Sequence, residues 1–498
     1  MKSNLKIKSL LYIGLLSIVF SCTSQSKKEK AAEDLTGNKP NIIYILADDL
    51  GYADLSVYGQ QKINTPNIDM LATRGMLFTQ HYAGAPVCAP SRSSLMSGQH
   101  TGKTSIRSNS KAPNVEEGQP PMSGETVTVA EVLKQAGYVT GAFGKWGLGY
   151  IGSEGDPNNQ GFDEFFGYNC QTQAHRFYPT HLWNNREKYF LEGNDWKNTV
   201  TYSADVIHEK ALGFIEKNKD KPFFMYYPST LPHAELLVPN DEIFKAQKEK
   251  FGAEVPYKGK NGNDKGLDYG EDLEVKGYTT QANPHATFAA MVIRLDKHVG
   301  EVVAKLKELG IEENTLIVFS SDNGPHAEGG ADPEFFNSNG IFKGIKRDLY
   351  EGGIREPMIV QWPKMVKAGS TSDHISAFWD VLPTVAEIVN IDAPTESQGI
   401  SFLPALLGKQ QKEHEYLYWE FHEKKGRQAV RAGNWKGVRL QMSKNPNALI
   451  ELYDLSKDPG EENNIAEEYP EIVAKLSDFM KEAHVKNDRY KFDYEKDK

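Results

Sequence analysis

Three uninterrupted apolar runs limit what this chain can fold into: Ile42-Ile43-Tyr44-Ile45-Leu46, Phe223-Phe224-Met225-Tyr226-Tyr227 and Leu316-Ile317-Val318-Phe319. None alternates with polar residues, and short runs rich in β-branched and aromatic side chains suit strands buried on both faces of a parallel sheet. Segments with helical signals lie between them. Thr65-Pro66 reads as an N-cap and first helical residue, with Ile68, Leu71 and Ala72 as the apolar stripe and Gly75 as the stop. Met76 to Tyr82 reads as a strand, Thr128 to Gln135 as a helix ended by Gly137, and Tyr138 to Phe143 as the next strand. Ser203 to Lys217 is amphipathic, and Phe288, Met291, Leu295, Val299, Val302, Leu306 and Leu309 keep helical spacing up to Gly310. Strands alternating with helices predict an α/β fold with a large, mostly parallel central sheet flanked by helices.

In such sheets ligands bind beyond the carboxyl ends of the strands. Asp48 and Asp49 follow the first apolar run, Lys145 the strand before it, His233 the run at Phe223, and Asp322 and Asn323 the run at Leu316. The spacing therefore predicts that one sheet edge gathers all of them.

The two ends of the chain differ from this body, which we expect over 40–411. After the charged stretch Gln410 to Glu415, the segments Tyr416–Phe421, Gln428–Arg431, Trp435–Leu440 and Leu449–Leu455 read as short antiparallel strands, and Pro470 opens a last helix through Glu482. This predicts a small C-terminal α+β subdomain over 412–498. At the other end Lys2, Lys6 and Lys8 precede the apolar Leu10 to Phe20 and then Ser21-Cys22. The run is too short to span a bilayer and is similar to a bacterial lipoprotein signal peptide over 1–21. Cleavage before Cys22 and acylation of its thiol would anchor the protein to a membrane of the cell envelope, periplasmic or at the cell surface. The polar residues 22–39 would be a flexible tether.

With 57 basic and 67 acidic residues the net charge is −10, which argues against nucleic acid as a partner. An anionic ligand must then be attracted locally, by placed Arg and Lys. Only three cysteines are present, and Cys170 has no partner once Cys22 and Cys88 have other roles, so no disulfide framework is expected.

Cys88 lies in Pro86-Val87-Cys88-Ala89-Pro90-Ser91-Arg92-Ser93-Ser94-Leu95-Met96-Ser97-Gly98. Pro90 can open a helix and Arg92 falls in its first turn, which sets a sulfur atom beside free N–H groups and a guanidinium. The string Cys88-x-Pro90-Ser91-Arg92 with Leu95 and Ser97-Gly98 resembles the signature of the formylglycine-dependent sulfatases. Leu46-Ala47-Asp48-Asp49-Leu50-Gly51, Gly144-Lys145-Trp146, Ser321-Asp322-Asn323-Gly324 and the segment from Lys346 to Pro357 extend the resemblance in the family's order.

The resemblance implies an alkaline phosphatase-like fold and oxidation of Cys88 to formylglycine by a sulfatase-maturation enzyme. One hydroxyl of the hydrated aldehyde would attack sulfur, the alcohol would leave with help from His233 and Lys346, and the second hydroxyl would expel sulfate. Asp48, Asp49, Asp322 and Asn323 are hard oxygen donors that suit Ca²⁺ or Mg²⁺ rather than zinc. The resemblance favours one calcium ion, also touching residue 88, with Arg92, Lys145 and Lys346 surrounding the sulfate. It also exposes a departure. The family commonly has histidine where this chain has Gly147, and that histidine is expected to deprotonate the second hydroxyl. His175 is the candidate to replace it, against a sugar-binding role or collapse assisted by Lys145.

Tyr168 to Arg186 carries Gln171, Gln173, His175, Arg176, Tyr178, His181, Trp183 and Asn184, a mixture suited to a sugar ring, and Asn240 to His285 reads as a lid or subsite wall. The expected activity is hydrolysis of an O-sulfate monoester on a carbohydrate. Two alternatives remain: a phosphatase or phosphodiesterase of the same superfamily, and a non-catalytic glycan-binding lipoprotein.

Overall fold

The apolar runs at residues 42–46, 223–227 and 316–319 form adjacent strands at the middle of one sheet. The computed structural model describes residues 39–195, 198–259 and 278–496, so the leader, Cys22, nearly all of the tether and the middle of the Asn240–His285 segment lie outside the described residues. The strands are β1 (Asn41–Ala47), β2 (Met76–Tyr82), β3 (Val139–Lys145), β4 (Glu164–Tyr168), β5 (His181–Asn184) and β6 (Glu187–Phe190). They continue with β7 (Phe223–Pro228), β8 (Thr315–Ser321), β9 (Arg355–Gln361), β10 (Ser370–Ser372) and β11 (Ser376–Ala377). Their order is β10-β2-β9-β8-β1-β7-β3-β4-β5-β6, with β11 beside β2. Strand β1 runs parallel to both neighbours, Ile43 opposing Met225 of β7 and Ile317 of β8. Strand β9 is antiparallel to β8 and β2. Its core, Met358-Ile359-Val360, is short and follows Pro357, so sequence patterning gave it no strand signal.

Alternation along the central strands splits the core in two. Ile43, Ile45, Met225, Tyr227, Ile317 and Phe319 face α1 (Pro66–Arg74), α4 (Ser203–Asn218) and α6 (Pro284–Glu308). Ile42, Tyr44, Phe224, Tyr226, Leu316 and Val318 face α2 (Cys88–Ser97), α3 (Val129–Gln135) and α7 (Val381–Ile388). Between α4 and α6 the chain also forms the exposed helix α5 (Glu242–Phe251) within the expected lid segment. Thr128 caps α3 through a reciprocal capping box with Glu131. Thr65 does not cap α1. Its hydroxyl bonds Ser56 and Asp69, and the Asp296 carboxylate from α6 accepts instead from the Asn67 and Ile68 N–H groups at 2.9 and 2.8 Å.

The C-terminal strands β12 (Leu417–Phe421), β13 (Arg427–Ala432), β14 (Trp435–Leu440) and β15 (Ile450–Asp454) form a separate antiparallel sheet in that order. One face buries Trp419, Phe421, Ala429 and Val438 against Tyr82, Val87, Ile354 and Trp379 of the larger body. The other buries Tyr418, Val430 and Leu452 under α8 (Pro470–Ala483).

Candidate active site

The carboxyl ends of β1, β3, β7 and β8 converge on the first turn of α2. Asp48 and Asp49 are the first residues past β1, and Asp49 is held in the left-handed region at φ 62°. Two bonds to the end of β8 hold it there: the Asp49 N–H donates to Asp322 Oδ1 at 3.1 Å and the Leu50 N–H to Ser321 Oγ at 2.9 Å. Cys88 is itself the first residue of α2, two positions earlier than Pro90 alone would place the helix start. Its buried sulfur lies 3.3 Å from Asp48 Oδ1 and 3.8 Å from Asp49 Oδ1.

The cations reach this point from three directions. Arg92 donates from Nε and Nη2 to Asp322 Oδ2, at 2.9 and 2.8 Å, and from Nη1 to the Lys145 carbonyl. Lys145, the last residue of β3, donates to Asp48 Oδ2 at 2.7 Å. Lys346 donates to Asp49 Oδ2 at 2.6 Å and lies 2.8 Å from His233 Nε2. His233 Nδ1 faces the Ala234 carbonyl, which assigns the ring proton to Nδ1 and leaves Nε2 to accept from Lys346. All these residues are buried.

Charge controls the protonation of the cluster. Burial opposes ionisation of Asp48, but Lys145, His233, Arg92 and Lys346 outweigh it and hold the carboxyl well below the usual range. Asp322 goes the other way: burial and the Asp48 charge push it up to about 7 despite Arg92. Burial and the Asp322 and Asp48 carboxylates push the Cys88 thiol up, so the unmodified sulfur is a poor nucleophile.

Asp48, Asp49 and Asp322 are three buried carboxylates around one point, and the buried Oδ1 of Asn323 has no hydrogen-bond partner, its Nδ2 donating to Asp49 Oδ1 at 2.7 Å. Ligand atoms of Asp48, Asp49, Cys88 and His233 all lie within 4.8 Å of one another. This donor set, dominated by oxygen, fits a hard divalent cation.

Sequence reasoning missed a second layer. Glu328 pairs with Arg347 at 2.7 Å, lies 3.8 Å from Lys346 Nζ and accepts from the Tyr278 hydroxyl at 2.8 Å. It forms a second group of possible ligands with Asp49 and His326. His326 and Glu328 directly follow the Ser321–Gly324 motif, and that spacing was the available signal; Tyr278 carried none.

The polar loop after β4 is divided in use. Arg176 pairs with Glu235 at 2.9 Å, His181 with Glu117 at 3.0 Å, and the Trp183 indole N–H donates to Glu117 at 2.8 Å. Tyr178 packs on Tyr202 with ring centroids 5.3 Å apart, and Asn184 pairs with Phe166 in the sheet. Gln173 donates to the His181 carbonyl at 2.9 Å. His175 stacks on His233 at 4.6 Å with its ring nearly parallel. Desolvation first, then the neighbouring His233 ring and the positive charges of Lys145 and Lys346, hold its basicity well below that of free histidine.

A family model described as Sulfatase matches residues 40–391, and one described as N-sulphoglucosamine sulphohydrolase, C-terminal, matches 339–486. The chain is 28% identical to N-acetylgalactosamine-6-O-sulfatase of Bacteroides thetaiotaomicron, over 93% of this chain and 96% of the relative. It is 30% identical to arylsulfatase A of Homo sapiens, over 88% of this chain and 86% of the relative. The solved structure of Ps i-CgsB in complex with k-i-k-neocarrahexaose superposes with a TM-score of 0.73 at 27% identity, covering 90% of this chain and 94% of that one. With a buried cysteine set among carboxylates and cations at the sheet edge and a family model spanning most of the chain, this protein belongs to the sulfatase family and is a sulfuric ester hydrolase.

Proposed function

We propose that the protein removes an O-sulfate from a sulfated carbohydrate, with Cys88 matured to formylglycine and one calcium ion held by Asp48, Asp49, Asp322, Asn323 and residue 88. The observation that carries this reading is the position of the Cys88 sulfur, 3.3 Å from an Asp48 carboxylate that Lys145 and Arg92 also approach. The aldehyde hydrate supplies a nucleophile whose second hydroxyl allows sulfate to leave, which a thiol cannot do. Calcium would supply polarisation and orientation of a sulfate oxygen.

The chain's own residues do the rest. Arg92, fixed by Asp322, and Lys145, fixed by Asp48, present preorganised positive charge to the sulfuryl oxygens. Lys346 and His233 share a hydrogen bond, so the pair holds one mobile proton for the departing alcohol oxygen. The stack of His175 on His233, with its depressed basicity, favours a role for His175 in orienting His233 over that of the release base. The oxygen-rich donor set favours sulfate hydrolysis with calcium over a zinc phosphatase, and the intact Lys346–His233 pair favours an enzyme over a glycan-binding lipoprotein.

A carbohydrate substrate is supported by the two sugar-directed relatives. The leader supports export as a lipoprotein acylated at Cys22, with the catalytic body over 40–411 and the subdomain over 412–498. Labelled palmitate should enter wild-type protein and not Cys22→Ala; a soluble wild-type product without label would reject the anchor.

The central test is a mass measurement on the tryptic peptide carrying Cys88, from protein made with and without a maturation enzyme. Matured protein should carry the aldehyde and release sulfate from sulfated oligosaccharides, chelator should abolish release, and calcium should restore it better than zinc. Cys88→Ala should lose turnover with an unchanged melting temperature. Full activity in protein whose residue 88 is plain cysteine would overturn the mechanism.

A further inference from the structure

Past the sheet, the ends of β3 and β4 continue side by side: the Trp146 N–H donates to the Tyr168 carbonyl at 2.9 Å and the Gly147 N–H to the Asn169 carbonyl at 3.1 Å. Gly147 is in the left-handed region at φ 75°, and a Cβ built on it would lie 2.1 Å from Gln171 Nε2 and 2.9 Å from Gln171 Cδ. The Gln171 carboxamide therefore fills the volume into which any side chain at position 147 would grow.

That carboxamide is buried, the residue being only 4% exposed, and its backbone N–H is pinned to Gln119 Oε1 at 2.9 Å. Yet neither Nε2 nor Oε1 of Gln171 has a hydrogen-bond partner. Burying an amide with both polar atoms unpaired is unfavourable, and such groups in native proteins are normally satisfied by something. The surroundings indicate what. Two residues before Gly147 is Lys145, whose ammonium lies on Asp48, and four residues after Gln171 is His175, whose ring lies on His233. Through Gly147 on one side and its own backbone on the other, the unpaired amide therefore stands two and four residues along the chain from two members of the anion site.

We propose that Gln171 is a sulfuryl-binding residue of this enzyme: Nε2 donates to a sulfuryl oxygen of the ester and of product sulfate, and Oε1 accepts from a hydroxyl beside it. The assignment rests on the sulfatase reading of the site. A carboxamide neither takes nor gives a proton at neutral pH, so Gln171 holds the group and leaves proton transfer to others. It also explains why position 147 is glycine, since a side chain there would displace the amide.

The test uses matured protein and two readouts: affinity for inorganic sulfate by calorimetry, and sulfate release from a sulfated oligosaccharide. Gln171→Leu should weaken sulfate affinity and kcat/KM by roughly 10- to 100-fold, the range for losing a hydrogen bond to a charged group. Gln171→Glu, nearly the same shape, should be at least as damaging because its charge repels sulfate, and it carries the same readout should the leucine variant fail to fold. Gly147→Ala should lose affinity in the same direction. Sulfate affinity unchanged in Gln171→Leu or Gln171→Glu would overturn the proposal and leave the amide on an internal water, and so would wild-type protein with no sulfate affinity. Wild-type protein that binds sulfate through Gln171 but turns over no sulfate ester would instead reject the sulfatase reading and leave this assignment standing.

Discussion

Asp49 shows how single residues are arranged for function over comfort. A non-glycine residue at φ 62° costs ~1–3 kcal/mol, and aspartate is among the side chains that tolerate it best. The turn aims one carboxylate at two donors, the Lys346 ammonium and the Asn323 amide. His233 is the residue whose role depends on the leaving group. Because it shares its proton with Lys346, His233→Ala should cut kcat/KM by about 10²–10⁴-fold for a sugar sulfate, whose alkoxide needs protonation, and by roughly tenfold or less for a nitrophenyl sulfate. Equal losses on both substrates, measured side by side, would remove His233 from the leaving-group step.

At the scale of elements, long-range partners supply what local motifs do not. Helix α1 is capped by Asp296 of α6 and not by Thr65, since that carboxylate reaches two of the free N–H groups at once. Strand β2 buries His81, its Nδ1 2.9 Å from Ser376 Oγ and its Nε2 without a partner. Burial pushes this imidazole down to about 3. The unfolded chain takes up a proton below the ordinary value near 6.5 while the folded state stays neutral, so the stability His81 contributes is complete above about pH 6.5 and is lost as pH falls toward 3. The slope is at most ~1.4 kcal/mol per pH unit for one group. Melting temperature should therefore fall between pH 7 and 5, and fall less in His81→Asn; identical pH profiles would show that His81 is not the sensor.

Across the whole molecule, the C-terminal sheet braces the catalytic edge through a buried charge network. Lys436 of β14 donates to Glu351 at 2.8 Å and pairs with Glu461 at 3.1 Å, while Tyr82 and Arg355 complete Glu351 at 2.6 and 3.1 Å. Glu351 begins the turn that follows the Lys346–Arg347 loop, so β14 holds the segment that delivers Lys346. Removing one member of a buried network leaves its partners uncompensated, at a cost of ~3–5 kcal/mol. Lys436→Met should show that loss in urea unfolding and lower kcat/KM at the same time. Stability that falls while turnover per folded molecule stays unchanged would show that the two sheets are packed together without functional coupling.

The α/β class, the central strands and the convergence of Asp48, Asp49, Lys145, His233 and Asp322 were legible in the sequence, because buried parallel strands need unbroken apolar runs and their carboxyl ends all face one edge. The short motifs around Cys88 and Lys346 were legible for a related reason: each keeps its functional residues within one turn or loop. Tertiary structure alone decided the rest. It placed β9 antiparallel in the sheet, since three apolar residues after a proline become a strand only when both neighbours supply the ladder. It set His175 on His233, committed Arg176 and His181 to Glu235 and Glu117, and drew Glu328 and Tyr278 to the site, because these contacts join residues 19 to 64 positions apart that no local pattern links. Position 147 is the sharpest case. Read alone it is a missing side chain; in three dimensions its space is occupied by Gln171, brought there by the pairing of β3 with β4.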